Sequence, residues 1–143
     1  MEDYIVNVAD KRISKGTLMD ALGIEILEIS PKKVIGKMPI NKATRQPMGM
    51  LHGGASVALA ETVASVGTDN LIDRDTQQAV GLEINANHIR GKRDGFVIAV
   101  GIPLHKGRTT MIWDIRISDE KGELICVSRC TIAIIDRKPV QFG

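Results

Sequence analysis

The run His52-Gly53-Gly54-Ala55-Ser56-Val57-Ala58-Leu59-Ala60-Glu61, continued by Thr62-Val63-Ala64-Ser65-Val66, reads as a glycine-rich entry into a helix that is small or aliphatic on nearly every side. A helix of that kind is buried. This one carries a carboxylate, and a lone charge in apolar surroundings is costly unless it is paired, hydrogen-bonded or neutralised. At about 100° per residue, Ser65 and Thr68 fall near the side of Glu61, so a narrow polar stripe is predicted down the helix. Gly53 and Gly54 let the backbone approach a ligand closely, and first-turn N–H groups favour developing negative charge. An oxyanion site and a carboxylate are the two parts that acyl transfer uses. From the helix alone Glu61 reads equally well as a carboxylate reaching solvent; the entrance tips the reading toward chemistry.

Working outward, Thr17 to Leu22 followed by Gly23 predicts a short helix with a glycine stop. Residues 24–29 and 33–38 read as strands around the turn residues Ser30-Pro31. A loop with Asn41, Thr44, Arg45, Gln46 and Pro47 leads into the central helix, predicted over residues 54–71 and closed by Asp73-Arg74-Asp75. Four extended runs follow, at 79–90, 95–104, 110–118 and 123–135, the last two joined by Asp119-Glu120-Lys121-Gly122. Val97, Ala99 and Gly101 alternate with Ile98, Val100 and Ile102, so this strand is apolar on both faces. One face packs on the helix and the other needs an equally apolar cover. A long helix followed by antiparallel strands gives an α+β layer, a sheet wrapped around a central helix. There are no repeats, low-complexity tracts or linkers, and residues 1–143 are expected to form a single domain.

The 143 residues, 43% hydrophobic and 25% charged, describe a globular chain with one core. A net charge of +2 and only 3% aromatic residues argue against a nucleic-acid partner, which needs a basic surface or stacking platforms. The acidic start Met1-Glu2-Asp3-Tyr4 is followed by no long apolar stretch, so no secretory signal or membrane span is predicted and a cytoplasmic protein is expected. Cys126 and Cys130 stand four apart in a predicted strand, about 13 Å from each other. Bridged Cα atoms lie within about 7 Å, so two buried, reduced thiols are expected. His52, His88 and His105 lack metal-ligand spacing, and no phosphate-loop or dinucleotide fingerprint is present. No metal and no cofactor are expected.

The segment Gln46-Pro47-Met48-Gly49-Met50-Leu51-His52-Gly53-Gly54, with Glu61 and Ser65 beyond it, resembles the signature of hotdog-fold acyl-CoA thioesterases. The resemblance is to the branch acting on phenylacetyl-CoA-, hydroxybenzoyl-CoA- and 1,4-dihydroxy-2-naphthoyl-CoA-like thioesters. Residues 80–90, Val-Gly-Leu-Glu-Ile-Asn-Ala-Asn-His-Ile-Arg, and Pro103-Leu104-His105 with Gly107 extend it, so that it spans about residues 35–135. It implies a hotdog fold, a homodimer or homotetramer, coenzyme A as part of the substrate, and hydrolysis of the thioester. Met48 stands where some relatives carry an aromatic residue; a soft, adaptable side chain there predicts tolerance of several acyl groups.

In the mechanism this implies, the thioester carbonyl is polarised by the Gly53 N–H with help from Gln46. Glu61 attacks the carbonyl or activates a water. Ser65 holds the carboxylate or the water, and His52 positions the loop or hydrogen-bonds near the thioester. Gly53 and Glu61 stand eight positions apart, about 12 Å along a helix, so one carbonyl meets both only if they come from different subunits. Coenzyme A carries phosphates, and two clusters combine cations with a glycine at a strand end: Arg90-Gly91-Lys92-Arg93 and His105-Lys106-Gly107-Arg108. Arg90 and Arg108 are the favoured phosphate contacts. His88 reads equally as facing the pantetheine channel or as a structural hydrogen-bonder, and the resemblance adds Gly81, Leu82, His105 and Gly107 to the substrate set. Two other functions stay open at this point: an enoyl-thioester hydratase or dehydratase, which would use a histidine for proton transfer, and a non-catalytic acyl-CoA-binding module.

Overall fold

A computed structural model describes residues 15–137; the acidic start lies outside them. The first described element is α1, Leu18–Leu22, capped by Thr17, whose hydroxyl accepts from Asp20 N. Gly23 ends it in the left-handed region at φ 71°, as the glycine stop predicts. Strands β1 (Glu25–Ile29) and β2 (Val34–Pro39) form an antiparallel pair. The Ser30 hydroxyl accepts from Lys33 N at 3.1 Å and pins their turn.

The central helix, α2, spans Gly53–Asp69. Beyond it come β3 (Gln77–His88), β4 (Phe96–Lys106), β5 (Thr110–Asp119) and β6 (Leu124–Asp136). All six strands join one sheet in the order β1-β2-β4-β5-β6-β3, with every neighbour antiparallel. The sheet curls around α2, which touches each strand. This is the hotdog arrangement.

The period-2 pattern of the strands explains the curl. Val97 and Ala99 on β4, Trp113, Ile115 and Ile117 on β5, and Cys126, Cys130 and Ile132 on β6 are all buried toward the helix. From α2, Leu59, Ala60, Val63 and Ala64 meet them. Small residues set the spacing: Val63 seats between Gly36 and Gly101, where a β-carbon on either would come within 2.9 Å or 2.5 Å of its methyl groups. The outward face of β4 is less covered, with Ile98 and Val100 half-buried and Ile102 exposed. Among the described residues strand β3 lies at a free edge, and a bulge at Leu82 interrupts its pairing with β6 between Gly81 and Glu83. Among the described residues no helix is long and apolar enough to cross a membrane.

Candidate active site

The loop before α2 builds a small hairpin. Arg45 and Leu51 bridge across it, Gln46 N donates to Met50 O at 2.8 Å, and Gly49 N donates to Gln46 O at 2.9 Å. Gly49 sits at φ 86°, a conformation that suits glycine at the tip. The Gln46 side-chain oxygen accepts from Met48 N, so the group this amide has left to offer a ligand is its NH2. The hairpin is tied to the segment after β3: Leu51 N donates to Lys92 O at 2.7 Å, Arg45 Nε to Arg93 O at 2.9 Å, and Arg93 Nη1 to Met48 O at 3.1 Å. Lys92 anchors that segment through Glu120 at 2.8 Å and Asp119 at 3.3 Å. The hydrogen bond to Glu120 holds the Lys92 ammonium above its ordinary pKa, and the same bond holds Glu120 below the usual carboxylate range.

At the helix entrance His52 is the N-cap. Its Nδ1 accepts from Gly54 N at 2.8 Å, while its carbonyl accepts from Ala55 N and Ser56 N. Of the first-turn donors this leaves the Gly53 N–H with no hydrogen-bond partner among the described residues. The His88 ring packs directly on Gly53, where a β-carbon would come within 2.8 Å of its Nε2. Gln46, Gly53, Ser56, His88 and Arg90 together line a cleft of about 280 Å³. Met50, Leu51, Ile89 and Ile125 supply its apolar wall. An unpaired helix N–H, an amide NH2 and an imidazole thus converge on one partly apolar space, the character of a small-molecule site.

Glu61 lies elsewhere. It is half-buried two turns along α2, beside Gly81 on β3 and outside the lining of this cleft. Ser65 is also half-buried but makes no hydrogen bond to Glu61 among the described residues. The predicted polar stripe stops there, because Thr68 is fully buried and accepts from Trp113 Nε1 at 2.9 Å. A buried indole N–H requires an acceptor, and Thr68 supplies it. Beneath Glu61, burial first and then the charges of Glu61 and Glu83 push the Cys130 thiol up to about 12. Both cysteines are buried and free, as their spacing predicts.

The two basic clusters part company. Arg90 lines the cleft and pairs with Glu123 across the neighbouring turn. Lys92 and Arg93 brace the loop, a duty the reading of this cluster as a phosphate cradle did not include. His105, Gly107 and Arg108 sit on the β4–β5 hairpin at the opposite end of the sheet, so one chain does not join them to Arg90. Leu82 is thrown outward by the bulge and is 63% exposed at the edge. Sequence reasoning missed Ser56, Met50 and Ile125. Ser56 was reachable, being one turn from Gly53 on the same side of α2; Ile125 comes from a distant strand and gave no local signal. Among the described residues no cluster of three or more His, Cys, Asp or Glu could hold a metal ion.

A sheet curled around one helix, with an entry donor unpaired among the described residues and a carboxylate two turns on, defines a hotdog-fold protein. Residues 48–126 match the model of the thioesterase superfamily, and the chain belongs to that family. It is 55% identical over 123 residues to ComA2 of Bacillus subtilis (strain 168), a protein provisionally named an esterase, covering 86% of this chain and 98% of that one. It is 46% identical over 123 residues to the 1,4-dihydroxy-2-naphthoyl-CoA hydrolase of Escherichia coli (strain K12), covering 86% and 90%. The crystal structure of a mutant of thioesterase PA1618 from Pseudomonas aeruginosa superposes with a TM-score of 0.86 at 41% identity, covering 88% of this chain and 91% of that one.

Proposed function

We propose that this chain hydrolyses acyl-CoA thioesters with aryl or otherwise bulky acyl groups, and that 1,4-dihydroxy-2-naphthoyl-CoA is its leading candidate substrate. The observation that carries the reading is the Gly53 N–H, unpaired among the described residues, at the head of a helix that also bears Glu61. Relatives named as hydrolases and thioesterases support hydrolysis over hydration or mere binding. No cofactor takes part; coenzyme A enters as part of the substrate.

The thioester oxygen accepts from Gly53 N–H and the Gln46 NH2, which stabilise it as it gains negative charge. Glu61 brings the oxygen nucleophile. In one route its carboxylate adds to the carbonyl carbon, the C–S bond breaks, coenzyme A leaves as thiolate, and water then hydrolyses the mixed anhydride. In the other, Glu61 takes a proton from water, the hydroxide adds, and that proton passes to the departing sulfur. Either way one thioester and one water give one carboxylic acid and one free thiol. Ser65 holds the water beside Glu61, and His52 fixes the helix entrance.

About 12 Å of helix separates Gly53 from Glu61, so the two serve one carbonyl as parts of different subunits. The open side of α2 supports a partner: Val57, Ala58, Thr62 and Val66 are half-exposed around Glu61. On β3, His88 stands by Gly53 and Gly81 stands by Glu61. An antiparallel partner whose two-fold passes near Val57 and Ile84 sets each Gly53 against the other chain's Glu61 and closes the free β3 edge. His88 and Arg90 then face the pantetheine and phosphate end of the ligand, with Leu82 on the edge beside it. His105, Gly107 and Arg108 reach the nucleotide only from another subunit, as a homodimer or homotetramer provides.

Thiol release from aryl, short-chain and long-chain acyl-CoAs tests the reading. Glu61→Gln is expected to keep the fold while lowering kcat by about 100-fold or more. Near-full activity in this variant would remove Glu61 from the mechanism.

A further inference from the structure

We infer that Gly81 is a positioning residue for Glu61: the absence of a side chain there is what lets the carboxylate lie down against the sheet in its working place. A β-carbon built on Gly81 would overlap Glu61 Oε1 and stand 3.2 Å from Glu61 Cδ. Residues directly opposite one another on antiparallel strands share a face. Gly81 is opposite Ile132, Ile84 opposite Cys130, Ala86 opposite Ser128 and His88 opposite Cys126, so all four β3 positions face the helix. Three of them carry side chains. The one that does not lies under the only carboxylate in the first three turns of α2.

The bulge strengthens the assignment. It falls at Leu82, immediately after Gly81, and turns that leucine outward instead of toward Glu61. Bulges re-aim the side chains beside them. Glycine and bulge together leave room on the helix-facing side of the sheet for the Glu61 carboxylate. The sequence resemblance assigned Gly81 to substrate; the contact with Glu61 gives it a different duty. This inference rests on the reading of Glu61 as the group that supplies the nucleophile.

Gly81→Ala tests it. The atom in the way is the far end of a flexible side chain, so the variant is expected to fold and to keep its KM within about threefold, while kcat falls by about 10- to 100-fold, the cost of misplacing a reacting group by an ångström or so. In a Glu61→Gln background the same substitution is expected to add no further loss. Should Gly81→Ala be unstable, removing the obstructing chain with Glu61→Ala is expected to recover the lost stability. Full kcat in Gly81→Ala while Glu61→Gln is inactive overturns the inference and leaves the mechanism standing. Independent, multiplicative losses in the two variants, or an instability that Glu61→Ala does not relieve, also overturn it. Activity in Glu61→Gln itself brings down the mechanism and this inference with it.

Discussion

Cys130 shows how much of this site is decided atom by atom. It is fully buried beneath Glu61, and its thiol is held up to about 12 by burial and by the neighbouring carboxylates. A thiol kept protonated is a poor nucleophile. Native protein at pH 8 is therefore expected to resist a disulfide reagent such as DTNB at both cysteines, with two thiols titrating after denaturation; rapid labelling of the native chain would contradict the burial. The linkage has a sign. The native pKa is raised above the ordinary 9.0, so the native state keeps its proton where the unfolded chain loses it. This thiol leaves stability unaffected below pH 9 and lowers it as pH rises from about 9 toward about 12. Cys130→Ala is expected to flatten that part of a plot of Tm against pH. At the same scale Gln46 and His52 illustrate a division of labour: each spends one polar atom on the backbone, Met48 N for one and Gly54 N for the other, and so fixes what its neighbourhood can present to a ligand.

The elements themselves were largely legible. Alternation along residues 95–104, the glycine stop at Gly23 and the apolar run after His52 put each strand and helix within a few residues of its place, because local period and turn chemistry carry that information. What a single chain of letters did not carry is which loops touch. Nothing near Gln46 reveals that Arg93 donates to Met48 O, or that Lys92 pairs with Asp119 and Glu120. Thr68 had the right angle for a polar stripe but was claimed by Trp113, a partner 45 positions away. The hairpin tip yields a prediction at this level. Removing the brace with Arg93→Ala loosens the Met48 peptide that holds the Gln46 amide, so kcat is expected to fall by about 3- to 10-fold with a stability change within the roughly 1 kcal/mol of one exposed hydrogen bond. Combined with Gln46→Ala, the loss is expected to be no greater than for Gln46→Ala alone; additive losses in kcat would separate the brace from the amide.

For the whole molecule, the decisive fact is that α2 bears Gly53 at its head and Glu61 two turns in, each facing a different space. Chains lacking Glu61 and chains lacking the Gln46 amide are each expected to be nearly inactive alone. Equal mixing after subunit exchange makes about half the dimers hybrid, each with one intact site, and so restores about a quarter of wild-type activity. No recovery after demonstrated exchange would place both groups in one chain's site. The same arrangement makes α2 a beam with a load at two stations. In the proposed dimer one helix steadies the oxyanion at one reaction centre and holds the nucleophile at the other. A substitution that tilts that rod is therefore expected to disturb both centres of the proposed pair at once, since each borrows one end of the same strut.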